Sequence, residues 1–324
     1  MNQETPYLKQ FIQAEAARCP TMPAAIYKII QAMASASEVL IQAIKSSRPK
    51  DFVEDGLLSR NASGDMQHLL DRIAHNCFLK TLANTGLVGA VVSEEATGII
   101  TIENGAGEYI VSLDPLDGSA NIPINAPVGT IFSIYRRLSS PGQPIQEVDV
   151  LQPGSQQIAA GYLLYSTTTM LVYGTQYGVH GFTYEPAVDA FLLTHQSLKF
   201  PQDGVSYAVN DGYFHSFPQS IRAYIEQCRK QGLGSRYSGA LVADFHRHLL
   251  QGGIYLYPPT QHKPTGKLRL MFECNPLAFL AEQAGGLASN GSQSILHIQP
   301  SQIHQCIPFY IGSANMVQSL LALL

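Results

Sequence analysis

From Ala25 to Lys45 apolar side chains return every three or four residues, at Ile26, Ile29, Ile30, Met33, Leu40, Ile41 and Ile44, with small Ala and Ser between them. That spacing lines one face of a helix and predicts a long amphipathic one. The polar stretch 46–65, broken by Pro and Gly and without steady period, reads as a mobile surface loop. A second helix is expected over roughly Met66–Leu82, with Leu69, Leu70, Ile73 and Phe78 on its buried side. The period then shortens: LVGAVVSEE is a β-rich run ending in two glutamates, and GIITIE and EYIVSLD flank NGAG, the pattern of a hairpin. VGTIFSIYRR, IAAGYLLYS and TMLVYGT follow as β-branched and aromatic strands of one mixed sheet, and HGFTYEPAVDAFLLT reads as its last hairpin.

The pattern pauses near Phe200–Asp203. There the chain is expected to divide into residues 1–200 and 201–324. Beyond the pause, strands (SYAVN, GGIYLYP) alternate with helices (PQSIRAYIEQCRKQG, SGALVADFHRHLLQG, NPLAFLAEQAGG), as in an α/β layer. The predicted fold class is α/β, mixed sheets with helices between and outside them.

The chemistry-bearing pattern is Asp114-Pro115-Leu116-Asp117-Gly118-Ser119, directly after the strand YIVSL. Pro and Gly can bend the chain so that both carboxylates and a backbone carbonyl meet one divalent cation, the hard-oxygen set that Mg²⁺ takes. The competing reading is an Asx-turn closing a strand. Glu94-Glu95 also stands at a strand end, where alternation would send one carboxylate toward a metal and the other toward water; alone, such a pair is an ordinary solvated turn. Lys267 and Arg269, two apart on GKLRLMFE with Glu273 beyond, would share a face able to meet a phosphate, although a solvated edge strand has the same look.

Composition narrows the classes. Charged residues are 14% of 324 and the net charge is −4, which gives no basic surface for nucleic acid. Five scattered cysteines form no CxxC pair and indicate a reducing compartment, so a cytoplasmic location is expected. The N-terminus lacks a signal-peptide pattern and no uninterrupted apolar run reaches ~18 residues, so no membrane partner is expected. His246 and His248, two apart on a helix, point apart and are read as surface or capping residues; Tyr162, Tyr165, Tyr173 and Tyr177 are read as sheet packing.

The blocks GDMQHLLD, VVSEE, DPLDGSANI with VGTIFSIYR, AAGYLLYSTTTMLVY, VNDGY, SRYSGALVADFHR, GGIYLYP, GKLRLMFECNPLAFLAEQAGG and IHQCIPFYIGS resemble, in order and over nearly the whole chain, the class I fructose-1,6-bisphosphatases of the Li⁺-sensitive phosphatase superfamily. The resemblance implies a layered α-β-α-β-α fold and Mg²⁺-dependent removal of the 1-phosphate of fructose 1,6-bisphosphate, with Mn²⁺ or Zn²⁺ as alternative cofactors. It implies Glu94, Asp114, Asp117 and Glu273 as metal ligands with the Leu116 carbonyl, and Asp65 near a further metal position. Asp71 and Glu95 would orient and deprotonate the attacking water, and Asp65 and Arg269 would complete the catalytic set. Gly118 and Ser119 would lie at the 1-phosphate. Asn210, Tyr213, Tyr237 and Tyr257 would contact the 6-phosphate and sugar, and Lys267 would bridge the two. Arg236 would reach a neighbouring subunit's 6-phosphate, implying a homo-oligomer, a tetramer in this family. Rival readings are a sedoheptulose-1,7-bisphosphatase, a dual-substrate enzyme, and a catalytically silent sugar-phosphate sensor; inositol monophosphatase activity fits the C-terminal blocks less well.

Two departures stand out. Ala120 and Pro123 replace a hydroxyl and a carboxylate usual in the metal loop, and Pro123 also removes a backbone donor. Cys19–Ala24 lacks the family's N-terminal AMP-site turn, and Glu108 stands where a lysine is usual, with Tyr109 and Arg136 kept; weak or absent AMP inhibition is the expectation.

Overall fold

The structure is a computed structural model and describes residues 5–46 and 69–324. Helices α1 (Leu8–Arg18), α2 (Ala24–Ser46) and α3 (Leu69–Ala83) lead into a sheet of β1 (Val88–Ser93), β2 (Ile100–Thr101), β3 (Tyr109–Asp117), β4 (Val128–Arg136), β5 (Gln157–Tyr165), β6 (Thr169–Thr175), β7 (Gly178–Glu185) and β8 (Ala190–His195), with a short helix α4 (Glu147–Val150) after β4. Its strand order is β2-β1-β3-β4-β5-β6-β7-β8. The second half contributes β9 (Ser206–Ala208), α5 (Gln219–Lys230), β10 (Gly234–Ser235), α6 (Leu241–Gln251), β11 (Ile254–Tyr257), β12 (Leu268–Arg269), a π-helical turn Leu270–Cys274, α7 (Asn275–Gln283), β13 (Leu287–Ser289), β14 (Cys306–Ile307), β15 (Phe309–Gly312) and α8 (Ala314–Leu321). Five of these strands form a sheet in the order β10-β9-β11-β15-β13, while β12 pairs with β14.

Alternation along the strands of the large sheet feeds two separate cores. Val111, Leu113, Phe132, Ile134, Leu163 and Leu171 face the first three helices, against Ile26, Ile30, Met33, Leu40, Phe78 and Leu82. Ile131, Tyr162, Leu164 and Val172 face the other way, onto Val242, Phe245 and Leu249 of α6 and Leu277, Ala278, Leu280 and Ala281 of α7, whose far side meets Ala208, Tyr255 and Ile311 of the smaller sheet. The outer face of that sheet is covered by Ile221 and Ile225 of α5 and Val317 and Leu320 of α8. The result is the layered α-β-α-β-α arrangement. Fully burying one Leu or Phe here contributes on the order of 2–3 kcal/mol. Although α2 has the length and hydropathy of a membrane span, its apolar stripe packs into the first core.

The structure amends several expectations. The buried stripe of α3 is Leu70, Asp71, Ala74, Phe78 and Leu82, with Leu69 and Ile73 only half-buried. The expected loop over 46–65 and the first residues of the Met66–Leu82 helix lie outside the described residues beyond Ser46, as does Asp65. No hairpin forms across residues 104–107: β2 folds back antiparallel onto β1, and β3 joins the other edge of β1 in parallel. The NGAG residues instead carry the chain past the end of β1, through a turn with Glu103 (φ 45) and Asn104 (φ 57) left-handed. Gly107 then crosses Gly89 so closely that a Cβ on Gly107 would lie 2.4 Å from the Gly89 nitrogen. Its missing side chain permits a crossing of backbones, not a tight two-residue turn. Neither His246 nor His248 is a surface residue: the Tyr162 hydroxyl lies 2.7 Å from His246 Nδ1, and His248 is buried. Burial lowers both pKa values, to about 4 and about 3, so both rings are neutral. Tyr162, Tyr165 and Tyr173 are buried sheet residues, whereas Tyr177 is exposed and bonds Thr21.

Candidate active site

β3 ends with a bulge. Asp114 stands opposite Ile131 of β4 but Asp117 stands opposite Gly129, three residues against two. In a regular strand Asp114 and Asp117 would point to opposite faces; the extra residue returns Asp117 to the face of Asp114. Thr130 Oγ1 donates to the Pro115 carbonyl at 2.9 Å, and Leu116 N–H donates to Asp114 Oδ1 at 3.0 Å, which together hold the bulge. Past it, Gly118 adopts φ 78, and a Cβ there would lie 2.5 Å from Ala240 Cβ. The glycine is therefore required twice, by the left-handed backbone and by the close approach to the start of α6. That approach lets Val242 N–H, in the first turn of α6, donate to Asp117 Oδ2 at 2.8 Å, where the helix end favours negative charge.

The third carboxylate arrives from the other half of the chain. Glu273 lies in the π-helical turn and accepts from Arg269 N–H at 2.6 Å. Asp114, Asp117 and Glu273 are all buried, each offering an oxygen within 4.8 Å of the others. Burial, and then Glu94, Asp117, Glu273 and Glu95, push Asp114 well above the ordinary carboxylate range. Burial also raises Asp117, against the pull of the Val242 and Leu241 N–H groups, and raises Glu273 together with Glu94, against the pull of Arg269. The Arg269 guanidinium meets Glu94 at 3.3 Å and the Lys267 carbonyl at 3.0 Å.

These groups line a cavity of about 400 Å³ bounded by Glu94, Glu95, Asp114, Leu116, Asp117, Gly118, Ser119, Ala120, Tyr237, Tyr257, Lys267, Arg269 and Glu273. Glu94 and Glu95 sit in the turn just past β1, so strand alternation does not separate them and both reach the cavity. Among the described residues five carboxylates face two cationic side chains there. Buried oxygen donors with excess negative charge and proton affinities raised by one another fit a hard divalent cation. A second cavity of about 620 Å³ shares Ala120, Tyr237, Tyr257 and Lys267 with the first and adds Asn210 and Tyr213. Two sequence-predicted positions stand apart. Asp71 is buried in the first turn of α3 and lines neither cavity, and Arg236 lies on the surface with Nη1 donating to the Ser235 carbonyl.

The structure adds residues that sequence reasoning passed over. Thr260, His262 and Lys263 form the far wall of the second cavity; the polar run TQHKPTGK that carries them has no periodicity, and only its cationic residues hinted at anion binding. Asp244 is wholly buried and accepts from Ser238 N–H at 3.0 Å, steadying the Tyr237–Gly239 wall. A helical period gives no sign of that contact.

Family models for the Fructose-1-6-bisphosphatase N-terminal and C-terminal domains match residues 7–196 and 200–324. The chain is 57% identical over 324 residues to a class 1 fructose-1,6-bisphosphatase of Amoebophilus asiaticus (strain 5a2), covering 99% of this chain and 97% of that protein. Its fold matches the crystal structure of Leishmania major fructose-1,6-bisphosphatase in holo form with TM-score 0.91 and 32% identity, over 99% of each chain. With two-domain matches and full-length identity falling on the molecule whose two halves converge on this acidic cavity, the chain is a phosphoric monoester hydrolase and belongs to the class 1 fructose-1,6-bisphosphatase family.

Proposed function

We propose that this chain hydrolyses the 1-phosphate of fructose 1,6-bisphosphate in a reaction that requires a divalent cation, Mg²⁺ being the one its donors suit. The carrying observation is the buried triad Asp114, Asp117 and Glu273, within 4.8 Å of one another, at the floor of a cavity that also holds Lys267 and Arg269. In this reading Glu94, Asp114, Asp117 and Glu273, with the Leu116 carbonyl, hold the cation, and Asp65 serves a further position. The bound cation supplies charge neutralisation at the phosphoryl group and acidifies the attacking water. Glu95, which lines the cavity, orients that water and takes its proton; Asp71, which lines neither cavity, is assigned to the same step by the family resemblance alone. Gly118 and Ser119 bind the 1-phosphate; Ala120 offers no hydroxyl there, which leaves that load to backbone N–H groups. Asn210, Tyr213, Tyr237, Tyr257 and Lys267 hold the far phosphate and the sugar in the second cavity. Arg236, exposed on the surface, serves a neighbouring subunit in a homotetramer.

Support for weak AMP inhibition comes from Glu108, which pairs with Arg136 at 3.0 Å and places a carboxylate where a phosphate would need cations. Submicromolar inhibition by AMP would overturn that part. The 620 Å³ second cavity also leaves room for a seven-carbon sugar, so the deciding assay is phosphate release from fructose 1,6-bisphosphate, sedoheptulose 1,7-bisphosphate and inositol 1-phosphate, each with and without Mg²⁺. Cation-dependent turnover of the fructose substrate supports the reading. Turnover of none by folded protein makes the silent sensor the better account.

A further inference from the structure

Two of the crowded carboxylates ride on separate pieces of the molecule: Asp114 on β3 of the large sheet, and Glu273 on the π-helical turn that opens α7. Like charges within 4.8 Å push those pieces apart. Covalent connection does not oppose the push, because some 160 residues of chain, on the order of hundreds of ångströms if extended, separate the two positions. The turn itself is a rare and less favourable geometry: Asn275 N–H closes on the Leu270 carbonyl, a five-residue step, and the next residue, Pro276, has no N–H to offer the carbonyls before it.

One of those carbonyls is met from β3. Ser112, wholly buried, donates its hydroxyl to the Met271 carbonyl at 2.9 Å. Ser112 is two residues before Asp114, hence on the same face of the strand, and Met271 is two residues before Glu273. The far end of the turn is fixed from β5, where Gln157 Nε2 donates to the Asn275 carbonyl at 2.9 Å. The strand that carries one carboxylate is thus bolted to the turn that carries another, next to the point where they repel.

We propose that Ser112 is a positioning residue: its hydroxyl sets the spacing between Asp114 and Glu273, and through it the affinity of the carboxylate cluster for a divalent cation. It does so without touching substrate, since Ser112 lines neither cavity. This inference rests on the cation-binding reading given under Proposed function. Removing the hydroxyl leaves the Met271 carbonyl buried without its donor and lets the turn relax away from the sheet.

The test uses the full chain stripped of metal, titrated with Mg²⁺ by calorimetry and with Mn²⁺ by electron paramagnetic resonance. The variants are Ser112→Ala, Ser112→Cys, which is slightly larger than serine and keeps a weak donor, and Ser37→Ala, which deletes a buried hydroxyl bonded to the Ala34 carbonyl inside α2, far from the cluster. Ser112→Ala is expected to weaken cation affinity about tenfold or more, the scale of outer-sphere partners, with KM for the sugar bisphosphate unchanged and turnover restored by excess Mg²⁺. Ser112→Cys should fall between it and the wild type, and it carries the test if Ser112→Ala does not fold. Ser37→Ala should lose thermal stability yet keep wild-type cation affinity. Wild-type affinity in folded Ser112→Ala or Ser112→Cys, or an equal loss in Ser37→Ala, overturns the inference while leaving the cation reading intact. A wild-type protein that takes up neither cation overturns both.

Discussion

Asp117→Asn separates the two roles of the acidic cluster, because the amide keeps the size and one acceptor oxygen of the carboxylate while removing its charge and turning the other oxygen into an NH2 donor. With oxygens within 4.8 Å and an effective dielectric constant of about 20, each ionised pair among Asp114, Asp117 and Glu273 costs about 3.5 kcal/mol. The metal-free cluster escapes part of this by binding protons, at about 1.4 kcal/mol for each pH unit above a carboxylate's ordinary pKa. Asp117 belongs to two of the three pairs, so deleting its charge removes up to about 7 kcal/mol of repulsion, of which proton uptake on the raised Asp114 and Glu273 leaves roughly 3 kcal/mol to recover at pH 8. Against it stands the charge-assisted bond from Val242 N–H to Asp117 Oδ2, 2.8 Å long, whose weakening to a neutral one costs about 1 kcal/mol. The net expectation is a metal-free variant more stable than wild type by about 2 kcal/mol at pH 8, or a few degrees in Tm. Calorimetric melts of both proteins after chelation, at pH 5 and pH 8, read it directly. Asp114, Asp117 and Glu273 are all raised in the folded state, so the fold holds more protons than the unfolded chain above about pH 4. Their stabilising contribution is full below that pH and is lost as pH rises through the raised values. The advantage of the variant must thus be larger at pH 8 than at pH 5, and Mg²⁺ should raise the Tm of the wild type only. A metal-free variant no more stable than wild type at pH 8, or one that keeps wild-type turnover, would refute the electrostatic account of the cluster.

Other perturbations reach different parts of the molecule. Gly118→Ala forces a Cβ to 2.5 Å from Ala240 Cβ at φ 78 and should cost at least about 2 kcal/mol, with turnover falling more than tenfold as the bulge moves off α6; urea unfolding and steady-state kinetics read the two effects. Glu15, buried with Oε2 accepting the Tyr173 hydroxyl at 2.9 Å and Oε1 3.3 Å from His180, ties α1 to the large sheet. Glu15→Ala strands both partners and should lower stability by about 2–4 kcal/mol in urea unfolding, with kcat nearly unchanged because Glu15, Tyr173 and His180 line neither cavity. Glu108→Ala should leave Tm within about 1 °C, since exposed ion pairs contribute little, while any AMP inhibition becomes stronger as Arg136 is released.

The sequence by itself determined what depends on local period and composition: the two amphipathic helices before the sheet, the strands from Tyr109 to His195, the α/β alternation after residue 200, and the short stretch where Asp114 and Asp117 crowd together. A side-chain period follows from backbone geometry within one element, so a dozen residues suffice to reveal it. The tertiary structure decided what depends on two distant segments meeting. NGAG carries the marks of a hairpin, yet a turn signal does not specify which strand the chain will pair with, and β3 joined the far edge of β1 instead. The histidines at 246 and 248 are spaced for opposite faces of a helix, but α6 lies between two sheets, and both faces are covered. That Asp117 returns to the side of Asp114 was decided by a bulge against β4, and that Glu273 joins them by a π-helical turn held from β3 by Ser112. No period records either contact, because each exists only through the packing of one half of the chain on the other.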